Sequence, residues 1–94
     1  MANVYVLYSQ KLDRFYTGSC LDLEKRLLEH KSRSTKDSFT AKANDWELFL
    51  FIDNLGYKQA RCIELHIKKM HSMKFINDLK AYPELRSKLV ERFK

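Results

Sequence analysis

Residues 3–18 read NVYVLYSQKLDRFYTG, and the fold prediction starts from this stretch. It opens with a β-branched and aromatic run, continues through polar residues, and starts a second run of the same kind at Arg14. β-Branched and aromatic residues favour strands, and a short polar interruption between two such runs is typical of a hairpin connection. The stretch therefore predicts a β-hairpin with a loop of about five residues.

Alternation of side chains across each strand predicts which of these residues are neighbours. In the first strand, Tyr5 and Leu7 lie on one face. In the second strand, Arg14, Tyr16 and Gly18 lie on one face. Tyr5 and Tyr16 can therefore share a face of the sheet if the register allows.

The rest of the chain predicts one more strand and four helices. Apolar residues at helical spacing predict a first helix over 22–32, and an almost unbroken apolar run over 46–52 predicts a strand covered on both faces. A second helical pattern covers 57–71, and two short helices follow in 72–94. The order β-β-α-β-α-α-α describes an α/β (α+β) domain, in which helices flank a small three-stranded antiparallel sheet.

Length and charge narrow the range of functions. The 94 residues predict a single domain over 1–94, because two cores in a chain of this size would each be too small to fold. The net charge of +6 suits a polyanionic partner such as nucleic acid. No apolar run reaches the ~20 residues that cross a bilayer, and the N-terminus lacks the features of a secretory signal. We therefore expect a cytoplasmic protein with no membrane partner.

The sequence lacks the motifs of several kinds of chemistry. It contains no GxxxxGK[ST], GxGxxG or GxSxG, which disfavours nucleotide hydrolysis, dinucleotide redox chemistry and acyl transfer, and no small-molecule cofactor is expected. Cys20 and Cys62 form no CxxC pair, so we expect no structural zinc and interpret both as buried small apolar side chains. His66 and His71 form no HExxH motif with Glu64 and are interpreted as surface histidines.

Glu64 lies on the apolar side of the helix predicted over 57–71. It follows Ala60 by four residues and precedes Ile67 by three, within the arc that the helix should bury. A carboxylate in that position needs a compensating partner. It is either a metal ligand or acid–base group at the edge of a cleft, or the i,i+4 ion-pair partner of Lys68.

Arg26 and His30 are also four residues apart, so they project from the same side of the first predicted helix. In that arrangement they could bind a phosphate and a water molecule. Alternatively, Arg26 forms a surface ion pair with Asp22, and His30 interacts with the helix dipole in the last turn. The spacing alone is compatible with both explanations.

Four segments, taken in order, resemble the motifs of the GIY-YIG nuclease superfamily. Residues 3–5 (Asn-Val-Tyr) stand where the family has Gly-Ile-Tyr, and residues 16–18 (Tyr-Thr-Gly) stand where it has Tyr-Ile-Gly. Residues 23–30 look like the family's helix with an arginine and, four positions later, a histidine. Residues 60–68 are similar to its second helix, whose glutamate holds the metal. The resemblance covers residues 4–70 and is to short, single-domain members.

The resemblance implies a role for each of five side chains. Glu64 would bind one divalent cation, Mg²⁺ or Mn²⁺, that stabilises the leaving oxygen. Arg26 would neutralise the scissile phosphate. Tyr5 and Tyr16 would orient the attacking water, with Tyr5 the stronger candidate for the base, and His30 would assist the proton transfer. The implied reaction is hydrolysis of a phosphodiester.

Two residues depart from the family's motifs. Asn3 replaces the glycine of the first motif, and Thr17 replaces the isoleucine of the second, whereas the structural glycine of the second motif is retained as Gly18. Neither replaced position supplies a catalytic side chain. The departures therefore concern local packing more than chemistry.

Residues 72–94 lie beyond the motifs, and their spacing predicts packing helices rather than a target-recognition domain. We therefore expect weak sequence preference. Five basic side chains are candidates for contacts to phosphates: Lys25, Lys31, Arg33, Lys36 and Lys42. The same cations could instead form a solvated face.

Three functions remain open from the sequence. The first is a divalent-metal-dependent endonuclease acting on DNA, structure-selective and serving DNA repair or recombination. The second is a nucleic-acid-binding module of the same fold that does not cut. The third is a small protein–protein adaptor that uses the aromatics of the 46–52 strand or the C-terminal helices. The oligomeric state has no signal in the sequence.

Overall fold

A computed structural model describes residues 1–26 and 45–94. Three antiparallel strands form one sheet: β1 (Ala2–Ser9), β2 (Arg14–Cys20) and β3 (Glu47–Leu55). Residues 23–26 are helical, and three helices follow β3: α1 (Tyr57–Met70), α2 (Met73–Ala81) and α3 (Pro83–Arg92). The spatial order of the strands is β2-β1-β3. This confirms the predicted three-stranded antiparallel sheet with its flanking helices.

The register of the β1–β2 hairpin brings the two motif strands together as the alternation predicts. Tyr5 pairs with Gly18, and Leu7 pairs with Tyr16. Tyr5 and Tyr16 are therefore diagonal neighbours on one face, and their ring centroids are 6.4 Å apart. The prediction that the two tyrosines share a face is confirmed.

The central strand β1 separates two clusters of apolar side chains. On one face, Val4 and Val6 pack in the core that the helices cover, which includes Ile63 of α1 and Leu79 of α2. On the other face, Tyr5 belongs to a smaller buried cluster with Leu7 and Trp46. Because both faces of β1 are buried, β1 is the strand that stabilises the fold most.

The prediction that the 46–52 strand is covered on both faces is wrong. β3 is an edge strand in which Leu50 and Ile52 are buried, while Phe51 is 46% exposed and Leu48 is 38% exposed. An unbroken apolar run indicates a strand without revealing its place in the sheet. The central place belongs to β1, whose apolar run over 4–8 is as long as the run over 48–52 in β3.

Three predictions about single side chains need correction or qualification. Cys62 is exposed and Cys20 is half-buried, and the two are not joined in a disulfide, so the expectation that both are buried is wrong. His66 is half-buried rather than on the surface, because its ring packs against Phe75 and Phe93 at centroid distances of 5.9 and 5.5 Å. His71 is exposed, as predicted. The environments of Cys62 and His66 depend on which side of α1 the later helices cover.

The helix ends follow local capping rules. Gly56 precedes α1, and its N–H donates to the Gln59 side chain at 3.0 Å. Ser72 caps α2 by accepting a hydrogen bond from the Phe75 N–H at 3.1 Å. Pro83 occupies the first turn of α3, where its missing N–H is tolerated. None of the helices in the described part of the chain is long and apolar enough to cross a membrane.

A polar clasp joins the hairpin loop to the segment that leads into β3. The Ser9 hydroxyl donates to the Asp45 carboxylate at 2.6 Å, and the Lys11 N–H donates to the other carboxylate oxygen at 3.0 Å. The Ser9 oxygen also accepts from the Leu12 N–H at 3.2 Å. The hydrogen bond from Ser9 is the main cause that holds the pKa of Asp45 below its ordinary value of 3.8, and the bond from the Lys11 N–H adds to it.

We expect the Asp45→Asn variant to lose less stability in acid than the parent. A carboxyl group with a lowered folded pKa favours the folded state above its unfolded pKa, and this contribution disappears as the pH falls through the folded pKa. The variant should therefore have the lower urea midpoint at pH 7, because Asn cannot accept both hydrogen bonds. The gap between the two proteins should narrow as the pH falls below 3.8.

Urea unfolding followed by circular dichroism at several pH values measures this difference. Asp53→Asn, the same change at an exposed position of β3, is the matched control. A gap between parent and Asp45→Asn that stays constant with pH would contradict the role of the clasp.

Candidate active site at the edge of the sheet

Glu64 lies where α1 crosses β2. The buried stripe of α1, with Ala60, Ile63 and Ile67, packs against the sheet, and Glu64 falls within the same arc at 5% exposure. Its carboxylate accepts a hydrogen bond from the Ser19 hydroxyl of β2 at 2.6 Å. Helical spacing thus places a carboxylate at the edge of the sheet, beside β2.

Two cations on α1 compensate the buried carboxylate. Lys68 Nζ lies 2.7 Å from Glu64 Oε2, and Arg61 Nη1 lies 3.3 Å from Oε1. Burial by itself would raise the pKa of Glu64, but hydrogen bonds from Lys68 and Ser19 and the two positive charges lower it below 4.5. Glu64 is therefore ionised at neutral pH, and the predicted pair with Lys68 is present.

Tyr5, Tyr16 and Gly18 occupy the face of the sheet opposite the helical core. Tyr5 is 1% exposed, whereas Tyr16 is half-buried. A Cβ atom at Gly18 would lie 2.5 Å from the Tyr5 hydroxyl oxygen and 2.6 Å from Cζ. Because Gly18 has no side chain, the Tyr5 ring has space to cross β2 at this position. Gly18 lies inside β2 rather than at its end.

We expect Gly18→Ala to destabilise the fold by about 1–3 kcal/mol, the usual cost of inserting a methyl group into a packed site. The Tyr5 ring cannot yield easily, because it is enclosed by the smaller apolar cluster. Thermal and urea unfolding measure the loss. Gly56→Ala is the control, because a Cβ there meets nothing closer than 3.8 Å. Equal stability of Gly18→Ala and the parent would show that Tyr5 has another place to go.

A basic cleft of about 360 Å³ lies between the end of β2, the helical turn at residues 23–26 and the start of α1. Three cations line it: Lys25, Arg26 and Arg61. Ser19, which binds Glu64, lines it as well. The cleft therefore places the predicted phosphate-binding arginine close to the groups that hold the predicted metal ligand.

The helical turn that carries Arg26 begins with a cap. The Asp22 carboxylate accepts from the Lys25 N–H at 3.1 Å, and the Asp22 carbonyl accepts from the Arg26 N–H at 3.1 Å. A side-chain acceptor at this position satisfies an N–H group that has no partner within the helix. The cap directs Arg26, which is half-buried, and Lys25, which is exposed, toward the basic cleft.

Several predicted site residues fall outside the described part of the chain: His30, Lys31, Arg33, Lys36 and Lys42. Their roles stay predictions, as does the helix end beyond residue 26. Conversely, sequence reasoning missed Ser19 and Arg61. Arg61 precedes Glu64 by one helical turn, and Ser19 directly follows Gly18. These two positions in the sequence were the signals from which Arg61 and Ser19 could have been identified.

The donor set around Glu64 allows a test for the metal that the resemblance implies. Among residues 1–26 and 45–94, no group of three or more His, Cys, Asp or Glu side chains is placed to hold a metal ion. Mg²⁺ keeps several waters and is often bound by one or two carboxylates together with substrate phosphate. A single ionised carboxylate beside a basic cleft fits such a cation, and Glu64 is the residue that would hold it.

Comparison with known proteins adds a family assignment. The model of the GIY-YIG catalytic domain matches residues 1–77, which is most of the chain. Comparisons with curated proteins and with solved structures give no significant match. The matched range includes both motif strands, Arg26 and Glu64. GIY-YIG domains are endonuclease domains that generally use a divalent metal. From the motif geometry and this match, the chain belongs to the GIY-YIG family and has its nuclease-type fold.

Proposed function

We propose that this protein is a divalent-metal-dependent endonuclease that hydrolyses phosphodiester bonds in DNA. The observation that carries the proposal is the ionised Glu64 carboxylate, held by Ser19 next to a cleft lined by cations. A nuclease must bring together a site for a divalent cation and positive charge for the phosphate. An ionised carboxylate and several cations at the junction of α1 and β2 support this proposal.

Arg26 is the residue proposed to bind the scissile phosphate. A guanidinium group can donate two parallel hydrogen bonds to one phosphate, and this interaction strengthens as negative charge develops. Lys25 and Arg61, which share the cleft with Arg26, would hold the neighbouring phosphates. Lys31, Arg33, Lys36 and Lys42 are proposed to extend this contact along the nucleic acid.

Tyr5 and Tyr16 are proposed to orient the attacking water, with Tyr5 as the base and His30 assisting the proton transfer. The two ring centroids are 6.4 Å apart on one face of the sheet, and Tyr16 lies in β2, the strand that carries Ser19. A phenol with its ordinary pKa near 10 is a weak base, so the proton transfer depends on positive charge nearby. Lys68, whose Nζ is 5.9 Å from the Tyr16 ring centroid, places positive charge beside Tyr16, the neighbour of the proposed base.

Glu64 is proposed to hold one divalent cation, Mg²⁺ or Mn²⁺. When bound, such an ion offsets charge on the phosphate and the leaving oxygen. Glu64 fixes the position of the ion, since its helix and Ser19 both restrict the carboxylate. Glu64 would then bind the metal, and Arg26 would bind the phosphate.

Low sequence preference is proposed because the site offers charge rather than readout of base edges. Phosphate contacts position a protein on nucleic acid without reading its sequence. We accordingly propose that the single domain over 1–94 selects its substrate by structure, in DNA repair or recombination.

The alternative, a nucleic-acid-binding module that does not cut, has one specific observation in its favour. Both oxygens of Glu64 already have donors within the protein, and the carboxylate is compensated without a metal. In that case Glu64 serves only to join α1 to β2, and the cations of the cleft bind nucleic acid.

A cleavage assay distinguishes these functions. The protein is incubated with single-stranded, duplex and branched DNA and with RNA, in Mg²⁺, in Mn²⁺ and in EDTA. The proposal predicts cuts that require the metal and are favoured on DNA of particular structure. Binding that weakens with salt but never leads to a cut would support the module that does not cut. Absence of binding at low salt would contradict both.

A further inference from the structure

Lys68 contacts a different oxygen of Glu64 from the one that Ser19 and Arg61 contact. Ser19 and Arg61 both donate to Oε1, at 2.6 and 3.3 Å, while Lys68 donates to Oε2 at 2.7 Å. The Lys68 side chain is 46% exposed, against 6% for the carboxylate. A cation that bound Oε2 would therefore compete with Lys68, and the ammonium group has solvent-exposed space into which it can move.

That space leads to a second cleft, of about 510 Å³, on the other side of Glu64 along the junction of α1 and β2. Lys68, Arg14 and His71 supply its basic groups, and Tyr16 forms part of its wall. Asp13 is the acidic residue in its lining. The basic cleft that contains Arg26 is lined by the earlier part of α1, so the two clefts flank Glu64.

We propose that Lys68 couples the binding of metal to the binding of nucleic acid. Without a divalent cation, Lys68 neutralises Glu64. When a divalent cation binds Glu64, Lys68 is repelled from the carboxylate and turns to the second cleft, where its ammonium group binds a backbone phosphate. The inference rests on the proposed function, because it requires that this site bind both ligands.

The coupling follows from competition for one carboxylate oxygen. Two positive groups cannot both occupy Oε2, so a phosphate that holds Lys68 away makes Glu64 more available to a cation. Thermodynamic linkage then requires the converse, that a bound cation increases the affinity for the nucleic acid. Lys68 is thus a positioning residue that opposes metal binding until the substrate is present.

Titration calorimetry with Mn²⁺ measures this coupling without any need for catalysis. The parent and the Lys68→Gln variant are titrated alone and in the presence of a short phosphorothioate DNA strand, which resists cleavage. We expect Lys68→Gln to bind Mn²⁺ about threefold to tenfold more tightly than the parent in the absence of DNA, the scale of a partly exposed ion pair. We also expect DNA to tighten Mn²⁺ binding in the parent and to have little effect in the variant.

Two further variants separate coupling from other causes. Lys69→Gln removes the same charge from the next position of α1, at an exposed residue, and should behave like the parent. Lys68→Arg should restore most of the effect of DNA. If Lys68→Gln does not fold, Lys68→Met takes its place, with folding checked by circular dichroism. Damage to the structure would weaken Mn²⁺ binding, so tighter binding is not a result of damage.

The outcomes separate this inference from the proposed function. If the parent binds Mn²⁺ and DNA but Lys68→Gln matches Lys69→Gln in both titrations, the coupling role is overturned and the nuclease proposal stands. Weaker Mn²⁺ binding by folded Lys68→Gln also overturns it, since Lys68 would then assist the cation. A parent that binds neither ligand overturns both proposals.

Discussion

Glu64→Gln is expected to reduce cleavage by about 10³-fold, because loss of a metal's stabilisation of charge in the transition state is worth several kcal/mol. Gln has nearly the same shape, and its amide oxygen can still accept from Ser19. It has no negative charge, so it binds a divalent cation far less well. The measurements are single-turnover cleavage in Mg²⁺ and Mn²⁺ affinity, and both should fall together.

The controls for this variant address folding and charge. Glu91→Gln makes the same change at an exposed residue of α3 and should cleave like the parent. Circular dichroism and thermal unfolding must show that Glu64→Gln is folded, since Lys68 and Arg61 lose their partner. Retention of full cleavage by folded Glu64→Gln would exclude Glu64 as the metal ligand and leave it as the residue that joins α1 to β2.

Arg26→Ala is expected to slow cleavage by about 10²-fold to 10³-fold, the usual cost of removing one group that stabilises charge in the transition state. Affinity for DNA should fall much less, because Lys25 and Arg61 remain in the basic cleft. Arg26→Lys keeps the charge but loses the planar pair of donors, so its rate should lie between those of Arg26→Ala and the parent. Single-turnover rates and DNA binding at fixed salt test these expectations.

Arg92→Ala provides the matched control for Arg26. Arg92 lies near the end of α3 and is absent from the lining of the basic cleft. Its removal should leave the cleavage rate within a factor of about two, as expected for a charge that does not contact the reacting phosphate. One result would show that Arg26 contributes only to the general positive charge. In that result, Arg26→Ala lowers the cleavage rate and the DNA affinity by equal factors, and Arg92→Ala lowers both by the same amount.

Local patterns in the sequence predicted the hairpin and allowed its two tyrosines to share a face. Residues 3–18 contain enough alternation and enough polar residues to specify two strands, whereas the register that pairs Tyr5 with Gly18 was left open. The helices after β3 were likewise predictable, because helical spacing and the caps at Ser72 and Pro83 are local signals. Periodicity also identified Glu64 as a carboxylate in a buried stripe.

The surroundings of Glu64 were only partly predictable. Lys68 could be inferred from its i,i+4 spacing, but Ser19 lies 45 residues away along the chain. The apolar run in β3 gave the wrong expectation of burial, because apolar composition does not distinguish an edge strand from a central one. The exposed Cys62 and the half-buried His66 share one helix, and their environments depend on where α2 and α3 pack.

Local sequence patterns were enough to predict the order of elements, the family motifs and the position of Glu64 on the buried side of α1. These are properties of residues close together in the chain, where spacing specifies direction. Only the tertiary structure decided that Glu64 reaches Ser19, that Gly18 makes room for Tyr5, and that Lys68 lies between the carboxylate and a second cleft. Those contacts depend on how α1 packs across β2, and the packing of one element on another has no local signal in the sequence.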